Sequence, residues 1–210
     1  MLNGLSVDPQ SDRQAALESA KRAYSIAPAD PFVLKMCGAA WAYFGKSKKS
    51  IGALRQAVDI APFDFGAWGF MGWPLVAKGS QRDIDELHEI MERILEATPL
   101  HPGAPYWQYH RSVACTCEGR NELAVELARQ SVGKNPGFPW AWMQFANALG
   151  VADSANEAME AYDRCIEISP ELTADFYESM IRGMSASRET AELRLAGLRS
   201  VNILSEKQAT

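Results

Sequence analysis

Five prolines punctuate the chain at nearly even intervals. Pro28, Pro62, Pro99, Pro136 and Pro170 are separated by 34, 37, 37 and 34 residues. The residues leading up to them fall into columns. Twelve before each proline stand Ala16, Ser50, Leu87, Ala124 and Ala158, and eight before stand Ala20, Leu54, Met91, Ala128 and Tyr162. Five before stand Ala23, Ala57, Ile94, Ser131 and Cys165, and four before stand Tyr24, Val58, Leu95, Val132 and Ile166. Such offsets mark one face of an α-helix, and the proline that follows cannot continue it. A unit of this length buries its apolar face only by stacking on its neighbours.

The clearest unit is Pro31 to Pro62, which reads as two antiparallel helices and a stop. Gly38 sits midway along the first helix, Trp41 follows at a helical offset, and Gly45 ends it. The second helix carries Ser50, Leu54, Ala57 and Val58 on one stripe. Small residues at Gly38, Ser50 and Ala57 allow close approach, and Leu34, Trp41 and Leu54 fill the gaps. That alternation is expected of a helical hairpin.

Two helices per period near 34 residues resembles the tetratricopeptide repeat. In that pattern the first helix carries an aromatic, a large apolar residue and then a small one. Trp68-Met71-Gly72 and Trp142-Phe145-Ala146 match it, as does Leu34-Cys37-Gly38 with an aliphatic residue first. The resemblance runs from about Ser11 to Pro170. It implies an all-α, right-handed superhelix of antiparallel helix pairs, with first helices lining a concave face that binds partner segments. Residues 1–210 then form a single domain: a half repeat at 11–28, full repeats at 30–62, 64–99, 105–136 and 138–170, and a helical cap at 171–204. The tail LRLAGLRSVNIL is also similar to the ends of repeat regions attached to bacterial nucleotide cyclases and winged-helix transcription regulators.

Several local features refine the register. Asp30-Pro31 is a helix start, and Ser11-Asp-Arg-Gln14 and Ser154-Ala-Asn-Glu157 have the form of capping boxes. Ser11 should therefore open a helix of about Asp12 to Ile26. Pro74 falls inside the first helix of the second repeat and should kink it. The third repeat diverges: Trp107 is one residue off the aromatic column, Arg111 takes an apolar position and Ser112 replaces glycine. The helix ending at Ile26 shows alanines and an aromatic where a solenoid end needs a polar surface. This suggests an excised piece of a longer protein, with a weak homodimer through that helix near Tyr24 and Met1 to Gln10. Ser205 to Thr210 should be frayed.

Composition excludes several functions. The net charge is -5, which argues against a nucleic-acid partner. No apolar run reaches the roughly 18 residues of a membrane span, and the first residues do not read as a secretory signal. Four cysteines make no disulfide framework, so a cytoplasmic protein with reduced thiols is expected. His88, His101 and His110 show no metal-binding spacing. Cys115 and Cys117, two apart on a helix, point away from one another. No phosphate loop, GxSxG motif or convergent ionisable set is present, so neither an enzyme, a cofactor nor a metal is expected.

The concave face remains. Projecting the repeat geometry makes Phe32, Lys35, Trp73, Tyr106, Tyr109, Trp140, Met143 and Asn147 groove candidates, about half of them expected to be buried. Lys35 matches a position at which chaperone-binding members of the family hold a partner's carboxylate. Ala39, Trp73, Tyr109 and Val113 do not match the others, which argues against chaperone C-termini. The expected function is a non-catalytic protein–protein interaction module. It would be the regulatory or assembly part of a larger bacterial signalling or transcription-regulator protein, binding a peptide or partner protein in the groove. The alternative is a small-molecule sensor with a pocket around Trp73, Tyr106 and Trp140.

Overall fold

A computed structural model describes residues 9–204. Its elements are α1 (Pro9–Ile26), α2 (Pro31–Tyr43), α3 (Ser47–Ile60), α4 (Phe65–Phe70), α5 (Gly72–Lys78) and α6 (Gln81–Ala97). They continue as α7 (Ala104–Cys117), α8 (Asn121–Lys134), α9 (Pro139–Val151), α10 (Ala155–Ile168), α11 (Ala174–Met184) and α12 (Arg188–Ser200). No strand occurs among the described residues. The stretches Met1 to Asp8 and Ser205 to Thr210 lie outside them, and with them most of the lead-in and the tail read as frayed.

Helices α2/α3, α7/α8 and α9/α10 pack as pairs, and α4 and α5 together pair with α6. Each pair turns over on a residue with positive φ: Gly45 at +70°, Gly79 at +69°, Gly119 at +71° and Asp153 at +59°. Glycine takes this conformation freely, and aspartate is among the few other residues that tolerate it. The following residue then adopts one shared shape, with φ/ψ of -94/50° at Lys46, -84/62° at Arg120 and -98/61° at Ser154. This turn explains a correction. Ser154 takes the turn conformation, and its side chain caps nothing. Ser80, by contrast, is extended and accepts from the Asp83 N–H at 3.3 Å. Helix α1 also begins at Pro9, so Ser11 lies within it and does not open it.

Pro74 breaks its helix as expected. It cannot donate to the Phe70 carbonyl, and the chain divides into α4 and α5 at Met71. The aromatic column proves to have a polar task. Trp68 Nε1 donates to the Pro62 carbonyl at 2.9 Å, and Trp142 Nε1 donates to the Pro136 carbonyl at 2.8 Å. In each case the indole satisfies a loop oxygen of the preceding stop.

The divergent third repeat is compensated by its partners. Arg111 pairs with Glu92 on α6, which accounts for a charge in an apolar column. Trp107 packs onto Gly69, where an added Cβ would stand 2.0 Å from the indole nitrogen. In the first repeat Ser50 Oγ donates to the Gly38 carbonyl at 2.7 Å. In the third the roles reverse, with Ser112 Oγ donating to the Ala124 carbonyl at 2.8 Å.

At the other ends two expectations change. The alanine face of α1 is partly covered by α2: Ala20 is buried, Ala16 and Ala23 are half-buried, and Tyr24 meets Trp41 edge to face at 5.3 Å, while Ile26 stays exposed. Asp12, Gln14, Glu18, Lys21 and Arg22 are exposed on α1, giving it a polar outer surface. The terminal pair, in turn, does more than close the end of the array. Helix α12 lies across α9, α7 and α5, the first helices of three repeats. The Ala186 N–H, in the loop before it, donates to the Ala77 carbonyl at the end of α5.

Candidate functional site

First helices line the concave face, and the terminal pair covers part of it. Tyr177 of α11 packs on Trp140 with ring centroids 5.6 Å apart. Tyr43 Oη meets Met180 Sδ at 3.8 Å, and Trp73 Nε1 meets Met184 Sδ at 3.2 Å. Beside this covering lies a pocket of about 670 Å³. Ala39, Ala40 and Tyr43 of α2, Gly66, Gly69 and Phe70 of α4, and Tyr106, Trp107, Tyr109 and His110 of α7 form most of its wall. The His101-Pro102-Gly103 loop, Trp73, Phe138 and Trp140 complete it.

The sequence explains this wall. Glycine at Gly66 and Gly69 leaves room above α4, and the break before Pro74 separates the α4 backbone from the α5 backbone. Rings fill the far side in contact with one another. Trp73 meets Trp140 at 5.5 Å and His110 at 6.0 Å, and Tyr106 meets Phe138 at 4.5 Å. Phe70 and Tyr106 remain 40% and 41% exposed, so apolar surface faces the open side. Such surface is a place where an aromatic or aliphatic side chain is captured.

The eight groove candidates divide. Trp73, Tyr106, Tyr109 and Trp140 meet in the pocket wall. Tyr109, Trp140, Met143 and Asn147 are buried, half of the set as expected. Met143 and Asn147 are enclosed beneath other elements. Asn147 Oδ1 accepts from the Leu198 N–H at 3.0 Å, and its Nδ2 donates to the Arg194 carbonyl at 3.1 Å, so α12 occupies it. Phe32 is exposed beside the ammonium of Lys35, 5.5 Å from its ring centre. Neither belongs to the pocket wall. Lys35 already holds Asp64 at 2.6 Å, and Asp64 in turn caps α4 through the Ala67 N–H at 3.1 Å. Burial pushes the Asp64 carboxyl up, but Lys35 and the backbone donors outweigh it and the net shift is downward. A carboxylate from a partner would have to displace this bond.

Wall residues that the sequence did not mark as groove candidates are Phe70, Trp107, His101, Phe138 and Tyr43. Trp107 stands one residue off the aromatic column, which gives no sign that it faces a pocket. The signal that could have found Trp107 is Gly69, whose missing side chain lets the indole seat against α4. His110 also belongs to the wall. Burial, and then the nearby Arg194 charge, hold it neutral with its pKa lowered to about 3. It is therefore uncharged at ordinary pH, and no carboxylate lines the pocket among the described residues.

No family model matches the chain. A relative, the small glutamine-rich tetratricopeptide repeat-containing protein 2 of Mycosarcoma maydis, is 29% identical over 94 residues. That match covers 45% of this chain and 25% of the relative, so the chain spans about a quarter of that protein's length. Among solved structures, TTC0263, a thermophilic TPR protein of Thermus thermophilus, aligns with TM-score 0.65 at 17% identity, over 83% of this chain and 92% of that one. PilW, a type IV pilus biogenesis factor, gives 0.61 at 20% identity over 94% and 89%. A structure of MamA gives 0.53 at 18% over 78% and 96%. The fold is thus a tetratricopeptide-like α–α superhelix, and at these identities the structural likeness extends to the fold alone.

Proposed function

We propose that the chain is a non-catalytic interaction module whose concave pocket takes apolar side chains from a segment of a partner protein. The observation that carries this reading is the pocket itself. About 670 Å³ of space lies on the concave face, its wall is aromatic and apolar, and Phe70 and Tyr106 stand half-exposed in it. Aromatic anchors of this kind supply most of the affinity in peptide recognition. The named relative is also a repeat-containing protein, though the match covers a fraction of it. The partner segment is expected to be apolar at its centre, because no lysine or arginine lines the pocket among the described residues and Lys35, the groove candidate for an acidic group, is engaged by Asp64. By the resemblance of its tail, the module serves as the regulatory or assembly part of a larger bacterial signalling or transcription-regulator protein.

A second reading has one observation in its favour. The pocket volume falls within the roughly 300–1,000 Å³ of small-molecule sites, which suits a sensory domain closing on an apolar ligand. No helix among the described residues is long and apolar enough to cross a membrane.

Peptide-display selection on the purified chain tests the first reading. Selected peptides should be rich in aromatic or aliphatic residues and should crosslink to a photoreactive residue placed at Tyr106. Phe70→Asp should weaken them at least about tenfold while leaving the helical circular dichroism intact. Unchanged affinity in Phe70→Asp, or crosslinks confined to other faces, overturns the proposal. Native mass spectrometry showing a stoichiometric non-peptide ligand, lost in Phe70→Asp, would assign the pocket to the sensory reading instead.

A further inference from the structure

Away from the concave pocket, α6 and the end of α7 bring together three side chains of metal-ligating type. His88, Cys115 and Glu118 each offer one ligand atom, and these atoms lie within 4.8 Å of one another. His88 Nε2 is 3.0 Å from Glu118 Oε2. The other ring nitrogen, Nδ1, is buried and has no hydrogen-bond partner. Cys115 is a free, fully buried cysteine. Glu118 is oriented from two sides: Gln81 Nε2 donates to Oε1 at 3.3 Å, and Arg120 Nη1 donates to Oε2 at 3.4 Å.

We propose that His88, Cys115 and Glu118 form a binding site for a divalent transition-metal ion, with zinc as the best fit. The donor set is mixed nitrogen, sulfur and oxygen, which suits a borderline-soft cation and does not suit magnesium or calcium. A thiolate, a carboxylate and a neutral imidazole together carry two negative charges, which a divalent ion offsets, and that balance among the ligands matters because the site is largely removed from water. With bonds of about 2.0–2.3 Å, tetrahedral ligand atoms stand about 3.3–3.8 Å apart. The present spacing therefore closes with side-chain adjustments of about 1 Å. His88 and Glu118 side chains retain 13% and 15% exposure, which gives an ion a way in and leaves a fourth position to solvent.

The chemistry balances without a redox step. Cys115 gives up its thiol proton to solvent as the sulfur–metal bond forms, and His88 keeps its single ring proton on the nitrogen that does not bind. Gln81 and Arg120 remain as outer hydrogen-bond donors that hold the carboxylate in place. A bound ion would tie α6 of one repeat to the end of α7 in the next. It would act on the stiffness of the array and would take no part in the pocket described above.

Cobalt(II) chloride added to the reduced, chelator-treated chain tests this directly. One equivalent should produce the near-ultraviolet sulfur-to-cobalt charge-transfer band, and zinc chloride should abolish it. Titration calorimetry in two buffers of different ionisation heat should report one proton released per zinc. Cys115→Ser should lose the charge-transfer band, and Glu118→Gln, a near-isosteric change that leaves packing intact, should weaken cobalt at least about tenfold. Cys117→Ser, on the opposite face of α7, should change neither. Circular dichroism confirms that each variant is folded. Absence of the band in the wild-type chain, or a band that survives Cys115→Ser, overturns the assignment.

Discussion

Gly150 and Gly197 meet backbone to backbone. A Cβ built on Gly150 would stand 2.1 Å from the Gly197 carbonyl oxygen, and one built on Gly197 would stand 1.7 Å from the Asn147 carbonyl oxygen. Helix α12 therefore crosses α9 at a separation that only two facing glycines permit. The atoms that would be struck are main chain, so they cannot swing aside. Gly197→Ala should destabilise the chain by about 3 kcal/mol, the upper part of the range for overpacking. Gly52→Ala is the control. Gly52 lies within α3 with nothing within 4 Å of an added Cβ, so the change should stabilise by about 0.5–1 kcal/mol. Urea unfolding of both variants reads the difference.

The repeats were legible in the sequence because their contacts are local in period. Gly38 and Gly72 stand in recurring columns, and added Cβ atoms there would meet Leu54 and His110 at 2.6 Å, as contact glycines should. The placing of α11 and α12 was not legible. Those helices leave the period after Pro170, so no column states which surface Gly197 or Arg194 will meet. Asn147 and Met143 fit the pattern of groove residues, and the structure assigns that part of the groove to the chain's own tail. The pocket was half legible. Trp73, Tyr106, Tyr109 and Trp140 follow from repeat geometry, whereas Phe70 and Trp107 depend on how far α4 is thinned by glycine. The His88, Cys115 and Glu118 cluster joins two helices, and sequence spacing alone does not show that meeting.

Asn147 is the polar counterpart of the glycine crossing. It is buried, and it both accepts from the Leu198 N–H and donates to the Arg194 carbonyl. Asn147→Leu leaves two α12 backbone groups without those partners. As i and i−4 groups of α12 these two still have each other, so what is lost is two net hydrogen bonds, about 1–3 kcal/mol. The Leu198 amide should lose its protection against hydrogen exchange in the variant, while amides of α2 and α3 keep theirs. Equal loss throughout the chain would show that α12 is not the element held by Asn147.

The turns between paired helices give a graded series. Gly119 has φ +71° and nothing within 4 Å of an added Cβ, so Gly119→Ala tests backbone strain alone and should cost about 1–2 kcal/mol. Gly79 has the same conformation, but its Cβ would also stand 2.5 Å from Thr190 Cγ2. Backbone strain is thus one part of the cost at Gly79, and a clash with α12 is the other. Gly79→Ala should therefore lose more than Gly119→Ala. Asp153 is the aspartate in this series, at φ +59°. Asp153→Gly should relieve strain and stabilise by about 0.5 kcal/mol after the added freedom of the unfolded chain is deducted. Thermal melts order the three variants.

His110 makes stability depend on pH. Its ring is buried among Trp73, Tyr109 and the α5 backbone at Gly72, and neither ring nitrogen has a hydrogen-bond partner. Burial first, and the Arg194 charge second, lower its pKa from 6.5 to about 3 in the folded chain. Between those values the unfolded chain binds the proton and the folded chain does not. Stability is therefore complete above about pH 6.5 and falls as pH drops toward 3, at up to about 1.4 kcal/mol per pH unit. From pH 7.5 to pH 5 the loss assigned to His110 is about 2 kcal/mol. Glu178 adds to the fall only at lower pH. Burial raises its carboxyl, but Arg182 and Arg199 lower it further, so its contribution is held above the ordinary carboxylate range and lost below it. His110→Leu removes the first loss and leaves the second. Urea unfolding from pH 7.5 to pH 5 should show a steep decline in the wild-type chain and a nearly flat profile in His110→Leu. A parallel decline in both would mean that another group carries the dependence.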